Sequence, residues 1–226
     1  MSKTVTIAID GPAGAGKSTV SKEIAKRLGI IYIDTGAMYR AAALYGINKG
    51  IKITAENMEP CLDEINIDIK YDQRGQRIFL NGEDVSERIR EKDVSIGASD
   101  VAVIPAVRIK LVDIQRELAK KSSVIMDGRD IGTYVLPDAD VKIFLTASSD
   151  ERARRRCLEM QEKGMDANFE EVKRDIEYRD KQDSSREFAP LKQADDAILV
   201  DSSDFEFEQT VEKILTIIKN KCTVVE

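Results

Sequence analysis

Apolar residues recur along the chain in two alternating patterns, short β-branched runs and longer amphipathic stretches. The short runs are typical of buried strands in a parallel sheet. They lie at residues 5–9, 30–33, 124–126, 141–145 and 197–200. The amphipathic stretches predict helices, two of which should end at Gly29 and Gly164. These helices cover residues 18–28, 37–49, 105–120, 149–163, 168–184 and 206–222. The alternation predicts a doubly wound α/β fold with a mainly parallel five-stranded sheet that binds ligands at its carboxyl edge.

One segment departs from this alternation. Residues 65–71 alternate apolar and polar side chains, Gln73-Arg74-Gly75 predicts a turn, and residues 77–80 form a second short run. A half-buried antiparallel hairpin inside a parallel pattern is best explained by a small inserted subdomain, here over about 61–100. The alternative is a plain hairpin at the edge of the main sheet.

Composition narrows the class of protein. The 226 residues suffice for one domain, 1–226, with an insertion, and 42% apolar with 34% charged residues is typical of a globular protein. The net charge of −6 argues against nucleic-acid and anionic-membrane partners. Three scattered cysteines, no membrane-length apolar run and no signal-peptide pattern lead us to expect a cytoplasmic protein. Because there is no histidine, any chemistry must depend on Arg, Lys, Asp and Mg²⁺.

A phosphate-binding loop follows the first predicted strand. The pattern G-x-x-x-x-G-K-[ST] predicts a loop whose backbone N–H groups and following helix surround nucleotide phosphates. It is matched by Gly11, Pro12, Ala13, Gly14, Ala15, Gly16, Lys17 and Ser18. Lys17 should reach the β- and γ-phosphates, Ser18 should bind Mg²⁺, and Thr19 is a weaker candidate. The alternative is a chance glycine-rich turn.

Two further charged segments follow predicted strands. The first of these segments contains Asp34-Thr35-Gly36 and Arg40, which would bind a second anion at the sheet edge. The alternative is an ordinary helix N-cap followed by an exposed arginine. In Asp127-Gly128-Arg129-Asp130, Asp127 is placed like the acid that holds Mg²⁺ through water in phosphate-loop enzymes. Arg129 would bridge phosphates and Asp130 would accept from a base amino group. The alternative for this segment is an Asp-Gly turn with a surface ion pair.

Arginines concentrate on two predicted helices near the end of the chain. Arg152, Arg155 and Arg156 share one helix face. Because like charges at this spacing repel one another, the cluster indicates that a polyanion binds there. The alternative is a solvated helix face on which nearby acidic residues offset the repulsion. Residues 179–186 form a charged helix end before Pro190. We expect the two helices, over about 149–190, to form a lid, the alternative being an ordinary polar helical hairpin.

These segments, in this order, resemble the bacterial cytidylate kinase family, which belongs to the nucleoside-monophosphate kinases with a phosphate loop. The resemblance covers essentially the whole chain. It rests on residues 9–18, 34–40 and 127–130, on Ser99 with Pro105-Ala106-Val107-Arg108, and on Arg179 through Arg186. It implies transfer of the γ-phosphoryl group of ATP to CMP or dCMP, with Mg²⁺, in a monomeric enzyme. In the family, the hairpin region corresponds to an enlarged monophosphate-binding insert.

The resemblance also implies roles for individual residues. The acceptor phosphate would be held by Thr35, Arg40, Arg129 and Arg186. The cytosine would contact Ser99, Arg108 and Asp130, and the sugar would contact Arg179 and Asp183. Charge on the transferring group would be stabilised by the candidate catalytic residues Lys17, Arg129, Arg152, Arg156 and Arg186. Since a carboxylate at Asp130 complements the N4 amino group of cytosine, UMP should be a poor substrate.

Two other functions compete at this point. A phosphate-loop kinase for a small hydroxylated metabolite would need a general base, for which Asp34 or Asp127 is available. A GTPase switch would order loops around a γ-phosphate. The chain lacks the expected switch signatures, because residues 127–130 are not D-x-x-G and Asn48-Lys49-Gly50-Ile51 lacks the Asp of N-K-x-D.

Overall fold

The computed structural model describes residues 4–72, 75–162 and 164–222. The elements follow one another in chain order as β1 (Thr6–Asp10), α1 (Lys17–Leu28), β2 (Ile31–Asp34), α2 (Thr35–Asn48), α3 (Ala55–Met58), β3 (Ile67–Asp72), β4 (Gly75–Leu80), β5 (Glu83–Asp84), α4 (Lys92–Val101), α5 (Pro105–Lys121), β6 (Val124–Gly128), β7 (Val141–Thr146), α6 (Ser149–Glu162), α7 (Phe169–Ser185), β8 (Ile198–Asp201) and α8 (Phe207–Lys221). Short 3₁₀ helices lie at Glu59–Glu64 and Arg88–Arg90, and a π-helical turn lies at Ile131–Val135. No helix in these ranges combines the length and apolarity needed to cross a membrane.

The chain separates into two compact units. The phosphate-loop unit comprises Met1–Tyr32 and Lys121–Glu226, and the hairpin unit comprises Ile33–Lys120. The main sheet has the strand order β2-β6-β1-β7-β8, and β1 pairs in parallel with both β6 and β7. Strand β7 also pairs in parallel with β8. The predicted α/β fold with a mainly parallel five-stranded sheet is therefore confirmed.

The core of the phosphate-loop unit lies between this sheet and helices α1 and α8. Helix α8 buries Val211, Ile214, Leu215 and Ile218, a spacing that places one apolar stripe against the sheet. Strand β1 contributes residues such as Ile7, which is completely buried. This packing fixes the carboxyl ends of β1 and β6, where the candidate site residues follow.

The hairpin unit contains a second, antiparallel sheet. Strands β3 and β4 pair with Ile67 opposite Leu80 and Ile69 opposite Ile78, and β5 adds a third strand. The predicted hairpin is thus present in a sheet of its own, so the alternative of an edge hairpin on the main sheet is wrong. Gln73 and Arg74 of the predicted turn, and Lys163 at the predicted end of α6, lie outside the described residues.

Helix α4 was not predicted from the pattern. Its residues Ser95, Gly97 and Ser99 are weak helix formers, so the local signal is poor. The helix packs on α2, and a β-carbon added at Gly97 would lie 2.8 Å from Ile53 and 3.3 Å from Ala43. Tertiary packing therefore requires glycine at a position where the sequence pattern gives little helix signal.

Candidate functional site

The loop between β1 and α1 depends on two glycines. A β-carbon at Gly11 would lie 1.9 Å from the carbonyl oxygen of Leu145, and the φ of Gly16 is +82°, in the left-handed region. Gly16 is the N-cap of α1, which therefore begins at Lys17. The unpaired N–H groups of the first helical turn and the helix dipole make this end an anion site. Pro12, Ala13 and Ala15 are buried in the loop, whereas Gly14 and Thr19 are exposed.

Lys17 is held inside this loop. Its Nζ donates a hydrogen bond of 2.7 Å to the carbonyl oxygen of Pro12, and its side chain is buried. Burial, and then the nearby Arg129 guanidinium, lower the pKa of the Lys17 ammonium to about 7. Polyphosphate bound in the loop would stabilise the ammonium form, so its binding near neutral pH would be accompanied by protonation of Lys17.

The two candidate metal ligands are in direct contact. The Ser18 hydroxyl donates to Oδ2 of Asp127 at 2.7 Å, and the Tyr32 hydroxyl donates to Oδ1 of the same carboxylate at 2.7 Å. Sequence reasoning missed Tyr32, whose only signal was its place near the end of a strand beside the loop. Hydroxyl and carboxylate oxygens suit Mg²⁺. Within the described ranges no cluster of three or more Cys, Asp or Glu could hold a metal ion.

Asp10 joins the end of β1 to the segment after β6. Its carboxylate accepts from the backbone N–H groups of Ile131 and Gly132 at 2.8 and 2.7 Å. Burial raises the pKa of Asp10 to about 7, although these two hydrogen bonds act to lower it. Asp10 was not singled out from the sequence. It fixes the backbone directly after the buried candidate base-reading residue Asp130.

Arg152 on α6 contacts the phosphate loop. Its guanidinium donates to the carbonyl oxygens of Ala13 and Ala147, both at 2.9 Å, and pairs with Asp180 on α7. Asp180 also accepts from the N–H of Ala13 at 2.9 Å. One carboxylate therefore links the loop, α6 and α7. Asp180 was part of the charged helix end in the sequence but had no assigned role.

The other two arginines of the predicted polyanion face have different partners. Arg155 pairs with Glu151 at 3.0 Å and donates to the carbonyl oxygen of Ser202 at 2.7 Å. Arg156 pairs with Glu159 at 2.7 Å, and both side chains are about half exposed. The structure therefore brings Arg152 to the loop, whereas the recorded partners of Arg156 lie on its own helix. This pairing matches the alternative of a helix face eased by its acidic neighbours.

Arg129, Asp183 and Arg186 form a second charged group in the phosphate-loop unit. Nε of Arg129 donates to Asp183 at 2.7 Å, and Arg186 lies 3.6 Å from the other carboxylate oxygen. Burial acts to raise the pKa of Asp183, but the guanidiniums of Arg129 and Arg186 hold it below its ordinary value. Arg179 is exposed one turn earlier on α7. Two arginines predicted to bind phosphate thus share one carboxylate.

In the hairpin unit, Asp34 organises the start of α2. Its Oδ1 accepts from the N–H of Ala37 at 2.9 Å, and its Oδ2 accepts from Arg40 at 3.0 Å. The N-cap considered from the sequence is therefore present, but Arg40 is ion-paired and partly buried rather than exposed. Thr35 is buried at the first helical position. The Thr35 hydroxyl and the Arg40 guanidinium therefore both lie near the start of α2.

The two candidate base-reading residues of the hairpin unit lie on adjoining helices. Ser99 is on α4 and Arg108 is in the first turn of α5. Arg108 is only 1% exposed and donates to the carbonyl oxygen of Ala102 at 3.1 Å. Its guanidinium stacks over the Tyr39 ring at 5.3 Å. Burial, the Ala102 carbonyl and the Tyr39 ring therefore all restrict the Arg108 side chain.

A parallel sheet with a phosphate loop after its first strand, a buried loop lysine and a Ser18–Asp127 pair at adjacent strand ends defines a phosphate-loop kinase. Residues 7–220 match the family model described as cytidylate kinase. The chain belongs to the cytidylate kinase family.

Individual relatives agree with this assignment. A cytidylate kinase of Caldicellulosiruptor saccharolyticus is 54% identical over 94% of this chain and 95% of its own. A cytidylate kinase of Bacillus cereus is 51% identical over 96% of this chain and 97% of its own. Among solved structures, an uncharacterized protein from Eubacterium ventriosum is similar with a TM-score of 0.52 and 19% identity, covering 96% of this chain and 99% of that chain. The last similarity concerns the fold alone.

Proposed function

We propose that this protein is a cytidylate kinase that transfers the γ-phosphoryl group of ATP to CMP or dCMP, giving ADP and CDP or dCDP. The observation that carries the proposal is the phosphate loop with buried Lys17 and the Ser18–Asp127 contact, in a chain of the cytidylate kinase family. Phosphoryl transfer of this kind needs positioning and charge neutralisation more than covalent chemistry.

ATP is bound by the phosphate loop in this proposal. Residues 11–19 surround its phosphates, and Lys17 neutralises charge on the β- and γ-phosphates. Ser18 and Asp127 would hold Mg²⁺, which would offset negative charge on the phosphates. Arg129, Arg152, Arg156 and Arg186 stabilise charge on the transferring group. Arg152 is favoured by its contact with Ala13, while Arg156 would have to leave Glu159.

The acceptor nucleotide is bound by the residues that the family resemblance implies. Thr35, Arg40, Arg129 and Arg186 hold its phosphate, and Arg179 and Asp183 hold its sugar. Asp183 would then exchange or share its present arginine partners. Asp130 accepts from the N4 amino group of cytosine, while Ser99 and Arg108 donate to its ring acceptors. With uracil in place of cytosine, acceptors would face acceptors and donors would face donors. These hydrogen-bonding groups would stay unpaired, so CMP is strongly preferred.

The reaction proceeds without a general base. A phosphate monoester has its second pKa near 6, so at neutral pH its oxygen attacks as a dianion. A kinase for a hydroxylated metabolite would use Asp34 or Asp127 as its base. In this proposal Asp34 instead caps α2 and pairs with Arg40, and Asp127 lies with Ser18 in the Mg²⁺ site. The match to the cytidylate kinase family is what argues against that alternative.

Helices α6 and α7 act as a lid over the phosphates. The Asp180 carboxylate, which contacts Ala13 and Arg152, is the link through which lid position and loop are coupled. Closure excludes water that would otherwise hydrolyse ATP. The whole chain, 1–226, then acts as one kinase domain with a monophosphate-binding insert at about 61–100 and a lid at about 149–190.

The protein works as a cytoplasmic monomer on small nucleotides, with neither nucleic acid nor membrane as a partner. The net charge of −6 supports this, since polyanionic partners favour basic surfaces. Cys61, Cys157 and Cys222 form no disulfide.

The proposal is tested by ADP release with ATP and a panel of CMP, dCMP, UMP, AMP and GMP, compared with no acceptor. Turnover should require CMP or dCMP, and equal turnover with water alone would reject the kinase function. Asp130→Ala should lower the ratio of kcat/KM for CMP over UMP by about 10- to 100-fold, the value of one base-edge contact. Asp138→Ala, an exposed acid nearby, is the matched control. An unchanged ratio in Asp130→Ala would reject its role in base recognition.

A further inference from the structure

Two buried nitrogen donors around Asp34 have no acceptor among the residues that the structure describes. They are Nε2 of Gln76, on β4, and Nε of Arg40, on α2. Both side chains are otherwise engaged with the same residue. A buried donor without an acceptor is costly, so native proteins nearly always supply one from protein, water or ligand.

The orientation of the Gln76 carboxamide follows from its other contact. Its Oε1 accepts the backbone N–H of Asp34 at 2.8 Å, which only the oxygen end of the amide can do. The NH₂ end is therefore directed away from that N–H. It has two protons to donate, and its nitrogen is shielded from solvent.

Asp34 does not supply the missing acceptor, since neither donor is within hydrogen-bonding geometry of it. Its Oδ1 accepts from the N–H of Ala37 and its Oδ2 accepts from the NH2 nitrogen of Arg40, so the carboxylate neutralises one edge of the guanidinium. A β-carbon added at Gly36 would lie 3.2 Å from both Arg40 and Asp34, so glycine at this position leaves the space beside them open. The group that fits two such donors beside a helix start is an anion with several acceptor oxygens.

We propose that the carboxamide of Gln76 is a further binding residue for the phosphate of the acceptor nucleotide, donating to it beside Thr35 and Arg40. This rests on the proposed function, in which Thr35 and Arg40 hold that phosphate. The ligand class is a phosphate monoester dianion. Gln76 fixes the backbone of Asp34 with one end and binds the phosphate with the other, so the hairpin contributes directly to substrate binding.

The position of Gln76 in β4 provides a control. Side chains alternate along a strand, and Gln76 shares its face with the buried Ile78 and Leu80. Arg77 lies on the opposite face, where it pairs with Asp84 and Glu87 at 2.7 and 3.2 Å. Changing Arg77 disturbs the same strand without touching Asp34.

The decisive variant is Gln76→Glu. It keeps an oxygen for the N–H of Asp34 but replaces the amide donor with a negatively charged oxygen. We expect KM for CMP to rise at least about tenfold, with KM for ATP within about twofold of the wild type. Inhibition by cytidine, which lacks the phosphate, should be unchanged. Gln76→Met, which removes the donor without adding charge, should show a smaller rise, and Arg77→Gln should show none.

The outcomes separate this inference from the proposed function. If the wild type uses CMP and both Gln76 variants keep its KM within about twofold, the assignment of Gln76 is wrong and the proposed function stands. An equal loss for CMP and cytidine would also overturn it, because the contact would then not involve the phosphate. If the wild type prefers another nucleoside monophosphate, the same rise in KM for that acceptor supports Gln76 while the proposed base specificity fails.

Discussion

The phosphate loop and the Asp34 cluster, which consists of Asp34, Thr35, Arg40 and Gln76, are both proposed to bind phosphate but differ in their donors. The loop presents backbone N–H groups, and charged side chains at the loop already have partners, since Lys17 donates to Pro12 and Arg152 of α6 donates to Ala13. The Asp34 cluster presents side chains, and Gln76 and Arg40 there each retain a buried donor that finds no acceptor in the described ranges. We therefore expect the loop to be formed before its ligand arrives and the cluster to be completed by its ligand.

The difference has a thermodynamic consequence. Backbone donors fixed by Gly11 and Gly16 require little ordering on binding, so the loop gains most of its affinity from preorganisation. Side-chain donors that are buried without an acceptor instead gain free energy when the ligand accepts hydrogen bonds from them. The cluster should therefore discriminate more sharply between ligands with and without a phosphate.

The largest expected effect tests whether the loop stabilises the phosphates through the charge of Lys17 as well as through its backbone N–H groups. Lys17→Ala should lower kcat by about 10²- to 10³-fold, as for removal of one transition-state donor, while the fold remains intact. Kinetics of ADP release and thermal unfolding measure the two quantities. Lys26→Ala, an exposed lysine on the same helix, is the control. Near-normal turnover in Lys17→Ala would remove the side chain from the mechanism and leave only the backbone.

An effect of intermediate size tests whether Tyr32 supports the Ser18–Asp127 pair. Tyr32→Phe keeps the buried ring but removes the hydroxyl that orients Asp127. We expect the Mg²⁺ concentration for half-maximal activity to rise about tenfold, and Mn²⁺ binding in the presence of ADP, measured by electron paramagnetic resonance, to weaken similarly. Tyr45→Phe removes a comparable hydroxyl contact, with Glu64 at 2.8 Å, and should change neither value. Equal metal dependence in Tyr32→Phe and the wild type would contradict this.

The smallest effect concerns stability and pH. Because the pKa of Asp10 is raised from 3.8 to about 7 in the folded protein, the folded state holds a proton that the unfolded state has lost. The resulting stabilisation is complete below pH 4 and disappears as the pH rises to about 7. The stability of the wild type relative to Asp10→Asn should therefore fall between pH 5 and 7, by at most about 1.4 kcal/mol per pH unit.

Urea denaturation at several pH values measures this difference. The Ser86 side chain and backbone N–H and the Arg77 guanidinium lower the pKa of Asp84 to about 2, so Asp84→Asn is a matched control. It should show no such slope over this range, because the Asp84 carboxylate is charged there in the folded and the unfolded state. A pH-independent difference for Asp10→Asn would mean that the buried carboxylate does not titrate in this range.

Most of the main sheet was predictable because its strands are continuous apolar runs bounded by loops. The five strands and six helices of the pattern recur in the structure within a few residues. Helix α4, which carries Ser99, was missed because its signal depends on the close packing of Gly97 against Ile53. Glycine has low helix propensity, and only a tertiary contact explains its place there.

The residues of the candidate site likewise fall into those that the sequence marks and those that only the structure reveals. Lys17, Ser18 and Asp127 stood out because a motif or a strand end marks them. Tyr32 lies 95 residues from Asp127, and Asp180 lies 167 residues from Ala13, so no local pattern links these partners.

The sequence by itself determined the phosphate loop, since the backbone conformation at Gly11 and Gly16 is a local property of glycine. It also determined the order of strands and helices along the chain, through the periods of apolar residues. Only the tertiary structure decided which charges pair, including Arg152 with Asp180 and Arg129 with Asp183. Long side chains reach partners that folding brings near from distant parts of the chain, and neither spacing nor composition encodes that choice.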